Sequence, residues 1–546
     1  MDWTASETII PQQGSSANTE ITARFEVDWI AHPMSEQQLE DFAVINMSGK
    51  FDYDWYYEQY PDVVESKRNG IQHYVQHGAA EGRHPNGVFK SNIYLARTGN
   101  AVAAGKNSFA EFLRTGSEDD LFEHGLLDAF TATSLRTGIA RLRRLPIYSD
   151  ADYLRMNHDV GAGGLPPAQH ALTFGFPEGR CVFDKRTISL ALGVVSDANF
   201  RTDRPVAVSA GAMPQTVGIF FNSLGNGFIR EIAEDLVLSF HNMGVDARLL
   251  DETSDPDSRP ACCIFVAPHE FFHLGRGSDW ATDEIVSQAF MLNTEQPQTL
   301  WFDRGAPFLL MCRGVIDICD QTAMLFASAG MPALHFNSEI APVSRWLHDD
   351  DEDHPLVRVL PPRARATPDP SRSFGDRPID ISFFGGTSAH RDGFFCRNAQ
   401  FLSDFRCFLY YRRFEGPHTS SKRDGILSRL GGHVTAHSSI SLNIHRDDYG
   451  FFEWHRIVKI GMAGGSVVVS EPCLPHPLYK PGIHFFEECG RHMPDLMDWL
   501  LRTGDGRAKA EQVRVAALKL VHDEAAVSCG RMQLRTFISE NWSGLS

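Results

Sequence analysis

A short segment near the middle of the chain has the residue types of a metal or proton-transfer site. His269-Glu-Phe-Phe-His273 matches His-Glu-x-x-His, in which two histidines one helical turn apart bind zinc and the glutamate activates a metal-bound water. Glu295 follows 22 residues after the second histidine, a plausible spacing for a third ligand. The segment comes directly after an apolar strand pattern and Pro268, however, and Leu274-Gly-Arg-Gly277 ends any helix at once. The sequence therefore favours a loop at a strand end, with His269 and Glu270 as candidate catalytic residues, over a zinc hydrolase.

A second group of charged residues lies further along the chain. Glu453, Arg456 and Lys459 are spaced by three residues, so they share one face of a predicted helix. Cationic side chains of this kind bind diphosphates, and guanidinium makes paired contacts with phosphate oxygens. A carboxylate accepts hydrogen bonds from sugar or ribose hydroxyls. The alternative interpretation is a solvated helix face.

The elements around this group predict half of a nucleotide-binding α/β domain. Leu442–Ile444 begin a strand, Gly464-Gly465 end the helix, and Ser466–Val469 form a β-branched run typical of a buried parallel strand. Ligands of such sheets bind outside the carboxyl ends of the strands. Four further candidates for the ligand site follow from their places at these ends: His445, Arg446, Ser470 and Glu471.

Two similar strand-and-loop patterns occur earlier in the chain. Val217–Phe221 predicts a strand followed by a glycine loop, and apolar residues at helical spacing over 229–240 predict a helix that Gly244 ends. Ile379–Phe384 predicts another strand, after which glycines can let backbone amides approach a phosphate. The first pattern adds Asn222, Gly225, Asn226 and Gly227 as candidates for an acceptor or cleft loop, and Glu295, in a later loop over Asn293–Pro297, is a further candidate. The second adds candidates for donor binding: Gly385, Gly386, Thr387 and Arg391.

An internal repeat precedes these patterns. Phe51–Pro85 recurs as 148–180 at a constant offset of 97, which pairs Asp62 with Asp159, His73 with His170, Gly78 with Gly175, Glu81 with Glu178 and Arg83 with Arg180. A degenerate copy at an offset of 38 includes Phe89, Leu95, Phe112 and Gly116. Each copy predicts two short helices, the second ended by its glycine. Such units stack into arrays, which serve either to dock a partner or to stabilise the rest of the chain.

Composition narrows the class of protein. The 546 residues predict several domains, and a net charge of −18 argues against nucleic acid or an anionic membrane as the main partner. The sequence contains no run of 18 apolar residues, so no integral membrane segment is expected, and the N-terminal residues lack the pattern of a secretory signal. Ten cysteines without a C-x-x-C spacing are typical of reduced thiols. The expected location is cytoplasmic.

The segment 441–471 resembles the C-terminal domain of GT-B glycosyltransferases, most closely bacterial enzymes of the CgeB-type spore-maturation group. The repeat resembles the "FDxxYY…PDV…HYxxHGxxEGRxP" module attached to bacterial glycosyltransferases. The resemblance implies an α/β fold with a GT-B-like pair of Rossmann-like domains behind an α-helical repeat domain. The predicted boundaries are an extension at 1–45, repeats at 46–185, a linker at 186–214, a first α/β domain at 215–346, a linker at 347–378 and a second α/β domain at 379–546.

This resemblance also implies a function. A nucleotide sugar would bind between the two α/β domains as a substrate, mainly through the second, and its sugar would pass to a glycan, lipid-linked or protein acceptor. GT-B transferases generally need no metal, so neither a metal nor another cofactor is expected. Repeats 46–185 are a possible docking site for a protein. A non-catalytic binding or scaffold protein that keeps the fold is the main alternative.

Overall fold

A computed structural model provides the structure of the chain. It describes residues 34–81, 83–86, 89, 107–115, 130–162, 165–197, 212–337, 339–340, 346–347, 351–412 and 425–542. The chain divides into two compact units, Met1–Leu121 and Phe122–Ser546. Most of the predicted extension, Leu95 and Gly116 of the degenerate repeat copy, and much of the linker at 186–214 lie outside the described residues. In the described ranges, no helix is both long enough and apolar enough to cross a bilayer.

The first unit is built from short helices around an aromatic core. They are α1 (Glu36–Ser48), α2 (Tyr53–Gln59), α3 (Pro61–Glu65), α4 (Gly70–His73), which continues as a π-helical turn over Tyr74–Gly78, and α5 (Ser108–Thr115). Ser35 and Gln38 form a capping box that fixes the start of α1. Tyr56, Tyr74, Phe89 and Phe109 are nearly inaccessible to solvent and belong to this core.

The two described copies of the repeat make the same contacts. In the first, Arg83 donates two hydrogen bonds to Asp62, at 3.0 and 2.9 Å, and the Tyr56 hydroxyl lies 3.0 Å from Nδ1 of His73. In the second, Arg180 donates to both oxygens of Asp159 at 2.8 Å, and the Tyr153 hydroxyl lies 2.9 Å from Nδ1 of His170. The residues that recur at an offset of 97 are therefore those that hold each helical unit closed.

The repeat glycines end their helices as predicted, but not as left-handed C′ residues. Gly78 and Gly175 are the last residues of the π-helical turns Tyr74–Gly78 and Ala171–Gly175, and neither has a positive φ. A Cβ on Gly78 would collide with the hydroxyl of Tyr56, and one on Gly175 with that of Tyr153. The repeat requires glycine there because the tyrosine packs against the backbone.

The second unit contains two parallel sheets. The first has strands β1 (Thr216–Phe221), β2 (Asp246–Asp251), β3 (Cys262–Val266), β4 (Phe290–Asn293), β5 (Gly314–Asp317) and β6 (Ala333–His335), in the order β2-β1-β3-β4-β5-β6. The second has β7 (Ile379–Gly386), β8 (Cys407–Arg412), β9 (Ser438–Asn443), β10 (Val467–Ser470) and β11 (Phe486–Glu487), in the order β11-β10-β9-β7-β8. All register pairs are parallel, as predicted from the β-branched runs.

Helices cover both sheets. Ahead of β1 lie α6 (Ala132–Arg144), α7 (Asp150–Met156), α8 (Pro167–His170) and α9 (Lys185–Asp197). Between β1 and β7 the chain forms α10 (Gly227–Asn242), α11 (Pro268–Phe271), α12 (Asp283–Val286), α13 (Leu300–Met311), α14 (Asp320–Ser328) and α15 (Pro355–Arg358). After β7 it forms α16 (Ala389–Ser403), α17 (Gly425–Ala436), a π-helical segment (His455–Met462), α18 (Met493–Arg502), α19 (Gly504–Val521) and α20 (Glu524–Asn541). Gly244 and Gly465 have φ of 75° and 73°, which confirms them as predicted helix stops.

The two sheets share one topology. When the strands of each are counted from its own first strand, both have the order 2-1-3-4-5, and the first sheet adds a sixth strand. In this arrangement the strand order reverses between strands 1 and 3, and the crevice there is the expected binding place. In this chain that place lies after β1 and β3 in one sheet and after β7 and β9 in the other. The predicted α/β fold with a GT-B-like pair of Rossmann-like domains is confirmed.

Packing links elements that lie far apart in the sequence. Residues of the second repeat copy, such as Leu172 and Phe176, share one hydrophobic core with Phe220 and Phe265 of the first sheet. At the other end of the chain, Phe537 of α20 packs on Phe290 of β4, with ring centroids 5.5 Å apart. The last helix therefore follows the second sheet in sequence but packs against the first.

Arg377 joins the segment before β7 to the second sheet. Its buried guanidinium donates to the carbonyl oxygens of Pro370 at 2.9 Å, Arg372 at 3.0 Å and Ala436 at 2.7 Å. Burial and repulsion from Arg514 lower its pKa to about 9. The Ala436 carbonyl is buried and the other two are partly buried, so the arginine satisfies groups that are shielded from water.

Replacing Arg377 tests this account of the fold. Arg377→Ala should lower the free energy of unfolding by about 3 kcal/mol or more, because several buried carbonyls lose their donor. Urea denaturation followed by circular dichroism would measure the change. The matched control is Arg363→Ala, an exposed arginine whose contact is a 3.5 Å hydrogen bond to Asp376, and its effect should stay within about 0.5 kcal/mol. Equal stability of the two variants would contradict the assigned role.

Candidate functional site

A cavity of about 510 Å³ lies where the carboxyl ends of the two sheets face each other in the second unit. Residues from the loops after β1, β3, β4 and β5 line one side, and residues after β7, β8 and β9 line the other. Its volume is in the range of pockets that hold small molecules and cofactors.

One side of the cavity carries four arginines, which we call the arginine wall: Arg391, Arg412, Arg446 and Arg456. Arg391 is buried and fixed, since its side chain donates to the carbonyls of Ile444 and Gly386, each at 2.9 Å. Arg456 donates to the Asn443 side chain at 2.8 Å. Burial and repulsion from Arg446 lower the pKa of Arg391 to about 10. Crowded, partly desolvated guanidiniums of this kind favour an anionic ligand.

Glu453 lies among these cations. It forms an ion pair with Arg456, and its Oε1 is 3.9 Å from Arg391 and 3.7 Å from Nδ1 of His445. The carboxylate therefore neutralises part of the arginine wall and lines the cavity itself. The predicted face holding Glu453 and Arg456 exists, although the helix that begins at His455 is π-helical.

A layer of polar residues lies behind the arginine wall. Glu471 accepts hydrogen bonds from the His445 backbone at 2.8 Å and from the His390 side chain at 2.9 Å. Burial lowers the pKa of His445, but contacts with Cys473, the Glu471 charge and the Pro472 carbonyl outweigh it, so that the pKa is raised. Ser470 accepts from Asn443 at 2.9 Å. These residues fix the strand ends that present Arg391 and Arg456.

The opposite side carries four carboxyl groups, which we call the acidic wall: Glu231, Glu270, Glu295 and Asp317. Burial raises the pKa of Glu270 to about 7 and that of Glu295 to about 7. Burial also raises the pKa of Asp317 well above its usual range, although Asn293 and the Cys319 backbone donate to it at 2.8 and 2.7 Å. Carboxyl groups with such pKa values exchange protons near neutral pH.

The loop after β1 holds Glu270. The Asn226 backbone donates to Glu270 at 2.9 Å, and the Asn226 amide also binds its carboxyl group. A Cβ on Gly225 would collide with that carboxyl, which explains the glycine. Asn222 donates to the carbonyls of Phe271 and Leu274, at 3.1 and 2.9 Å, and so ties this loop to α11.

Ala267, which directly follows β3, adds a backbone constraint next to Glu270. Its φ of 54° places a non-glycine residue in the left-handed region between β3 and Pro268. Such conformations cost of order 1 kcal/mol and concentrate at functional sites. The turn directs the chain so that His269 and Glu270 both line the cavity.

The His-Glu-x-x-His segment does not form a zincin helix. Helix α11 has a single turn and ends at Phe271, and His273 lies 3.2 Å from the Arg304 carbonyl. His269 lies 3.6 Å from Glu295, and burial lowers its pKa to about 3, so the ring is neutral. In the part of the chain that the structure describes, no group of three or more His, Cys, Asp or Glu side chains is arranged to hold a metal ion.

Lys459 differs from the expectation of a donor-binding role. Its ammonium group is buried in an ion pair with Asp235 of α10 and lies 3.5 Å from Glu231. Because π-helical winding advances fewer degrees per residue than an α-helix, the three-residue spacing does not keep Lys459 on the face of Arg456. Lys459 instead joins the second sheet to the first.

The structure brings most of the predicted residues together. Those lining the cavity are Asn226, Gly227, His269, Glu270, Glu295, Gly385, Gly386, Arg391, Arg446, Glu453 and Arg456. Those outside its lining are Asn222, Gly225, Thr387, His445, Lys459, Ser470 and Glu471. Gly385 and Gly386 are the last residues of β7, paired with Tyr411 and Arg412, and Thr387 donates to the Arg412 carbonyl at 2.9 Å. Their roles in binding remain predictions.

Sequence reasoning missed several lining residues, including Asp317, Arg412 and Thr294. Asp317 is the last residue of β5, and Arg412 the last of β8. A rule that every polar residue at the carboxyl end of a parallel strand is a candidate would have found both.

Comparison with known proteins assigns the chain to no family. No protein-family model matches the chain, and no curated protein sequence matches it. Among solved structures, an alpha-glucosyltransferase in complex with UDP and a 13-mer DNA containing a HMU base is 9% identical, with 60% of this chain and 100% of that chain covered and a TM-score of 0.37. Anabaena HepE in complex with UDP and glucose is 8% identical, with 59% and 98% covered and a TM-score of 0.38. A UDP-N-acetylglucosamine 2-epimerase is also 8% identical, with 56% and 91% covered and a TM-score of 0.32. The resemblance to the CgeB-type group and to the repeat module stays a prediction.

The raised pKa of Glu295 predicts how its removal affects stability. The pKa of Glu295 is about 7 in the folded protein, against its usual 4.5. The protein therefore loses stability as the pH rises from 4.5 to 7, because the carboxyl ionises more easily in the unfolded chain. Glu295→Gln should therefore raise stability relative to wild type by about 1–3 kcal/mol at pH 8 and by much less at pH 4.5. Thermal denaturation at both pH values measures this. A stabilisation that does not depend on pH would contradict the assigned pKa.

Proposed function

We propose that the protein is a glycosyltransferase that binds a nucleotide sugar against the arginine wall and transfers the sugar to an acceptor held at the acidic wall. The observation that carries this proposal is the division of charge across one cavity. A sugar nucleotide is anionic at its diphosphate, whereas the acceptor must lose a proton. The two walls supply the two chemistries that these groups need.

The arginine wall suits the leaving diphosphate. As the bond from the anomeric carbon to the phosphate oxygen breaks, its electron pair moves to that oxygen and negative charge grows there. Arg391 and Arg456 are held by backbone and side-chain contacts before any ligand arrives, so little reorganisation is needed to stabilise this charge. Four cations provide this stabilisation without a metal ion.

Glu270 is the proposed general base. Its pKa of about 7 lets the carboxylate form exist at neutral pH while keeping enough basicity to accept a proton. The acceptor hydroxyl gives its proton to Glu270, and its oxygen forms the new bond to the anomeric carbon as the diphosphate leaves. His269 is a weaker candidate because its pKa of about 3 makes the ring a poor proton acceptor. It positions the acceptor in this proposal.

Loss of a guanidinium should weaken donor binding. Arg456→Gln should reduce the affinity for the nucleoside diphosphate that the wild type binds by about 10- to 100-fold, since a charge-assisted hydrogen bond is worth about 1.5–3 kcal/mol. Isothermal titration calorimetry measures the change. Arg230→Gln is the matched control, because Arg230 is an exposed arginine paired with Glu234 at 3.0 Å and outside the cavity lining. Unchanged affinity in Arg456→Gln would remove the arginine wall from the donor site.

Removal of the proposed base should affect turnover more than binding. Glu270→Gln should lower kcat by about 10²- to 10⁴-fold with little change in nucleotide affinity. In the wild type, kcat should rise with pH and level off above about 7, because the ionised carboxylate is the active form. Burial also raises the pKa of Glu487, which lies outside the cavity lining, so Glu487→Gln is the control and should keep most of the activity and the same pH profile. Full activity of Glu270→Gln would assign the base elsewhere, and nucleotide binding without any transfer by the wild type would indicate the scaffold hypothesis.

A further inference from the structure

The acidic wall has features that concern the acceptor rather than the donor. Its carboxyl groups project into the half of the cavity formed by the first sheet, at the ends of β3, β4 and β5 and on α10. Glu270 and Asp317 are almost completely buried and accept hydrogen bonds from neutral donors, Asn226 for Glu270 and Asn293 and the Cys319 backbone for Asp317. The arginines that line the cavity belong to elements of the second sheet, although Arg446 is close enough to Glu295 to lower the pKa of that carboxyl in part.

Two buried polar groups beside the acidic wall are unsatisfied. Nδ1 of His269 and Oγ1 of Thr294 have no hydrogen-bond partner among the residues that the structure describes. Their residues are 2% and 9% exposed, and both line the cavity. Buried polar atoms in native proteins are nearly always paired, so an unpaired hydroxyl and an unpaired ring nitrogen beside a cavity point to a ligand that supplies the partners.

These groups together describe the chemistry of that ligand. A hydroxyl both donates and accepts, a neutral imidazole can do either, and carboxyl groups accept hydrogen bonds or donate one when protonated. A polyhydroxylated ring satisfies such a mixed set. An anionic group would lie beside two to four carboxyl groups in a site shielded from water, and like charges there repel strongly. Trp301 also lines this half of the cavity and supplies an apolar ring surface.

We propose that the acidic wall, together with His269 and Thr294, is a subsite for an uncharged sugar ring, one hydroxyl of which receives the transferred sugar. This inference rests on the proposed function and names its acceptor class. It makes Thr294 and Glu295 specificity residues, neither of which belongs to the proposed donor site or acts as the base. It concerns the ring that enters the cavity, whatever larger molecule carries that ring.

The test compares acceptors that differ in charge and little else. Methyl glycosides of glucose, galactose and N-acetylglucosamine would be compared with the corresponding hexose 6-phosphates and uronic acids, at pH 8, with the nucleotide sugar that the wild type hydrolyses. For at least one neutral glycoside, kcat/KM should be about 100-fold or more above that of its charged counterpart. This is the effect expected for like charges about 5 Å apart at an effective dielectric constant of about 20. Glu295→Gln, which removes a carboxyl group that is ionised at pH 8, should reduce that ratio several-fold.

A second variant tests the hydrogen-bonding part. Thr294→Val removes the unsatisfied hydroxyl at nearly constant volume and should lower kcat/KM for the neutral acceptor about 10-fold. Thr173→Val, outside the cavity lining, is the control for loss of a threonine hydroxyl.

The outcomes separate the two levels of the proposal. Two results, each with donor hydrolysis present, would overturn the acceptor inference and leave the proposed function standing. One is equal or better use of the phosphorylated and carboxylated sugars, and the other is that no neutral sugar is used or bound. Absence of both nucleotide binding and donor hydrolysis would overturn the proposed function and the inference with it.

Discussion

A buried ion pair between Lys459 and Asp235 fixes the geometry of the candidate site. It joins α10, which follows β1, to the π-helical segment that follows β9, and Glu231 contributes further contacts to Lys459 and His455 at 3.5 and 3.2 Å. Removal of either partner would leave a charge without compensation in the interior, which costs about 3–5 kcal/mol. Because Arg456 and Glu453 lie within two turns of Lys459, this pair also determines where the arginine wall stands relative to the first sheet.

The charges of the cavity follow from the topology. Two sheets with the same 2-1-3-4-5 strand order present their carboxyl ends, and hence their switch points, to a common space. One sheet contributes mainly guanidiniums there and the other mainly carboxyl groups. Burial disfavours the charged form of both the arginines and the carboxyl groups. It lowers the pKa of Arg391 and raises the pKa values of Glu270, Glu295 and Asp317. Such a site gains most from a ligand that is anionic at one end and rich in hydroxyls at the other.

The strands and helix ends could be predicted from sequence because their signals are local. The apolar segment before Gly385 and the β-branched run after Gly465 form parallel strands, and Gly244 and Gly465 end helices as expected. The partner of Lys459 could not be predicted, since Asp235 lies 224 residues away. The need for glycine in each repeat could not be predicted either. The sequence indicated a helix end there, but glycine is required because folding brings a tyrosine hydroxyl against its backbone. Asp317 and Arg412 became recognisable only when the strand ends were located.

Binding of nucleoside diphosphates to the wild-type protein tests the central claim, a preformed diphosphate site on the arginine wall. Thermal stability would be measured with UDP, GDP, CDP, ADP and dTDP and with their monophosphates, at a fixed excess of ligand. A ligand bound only to the native state at about 100 times its Kd stabilises the protein by about 2.7 kcal/mol, a rise in Tm of a few degrees. The account predicts such a rise with at least one diphosphate and a smaller one with its monophosphate. No rise with any diphosphate, or equal rises with both forms, would contradict it.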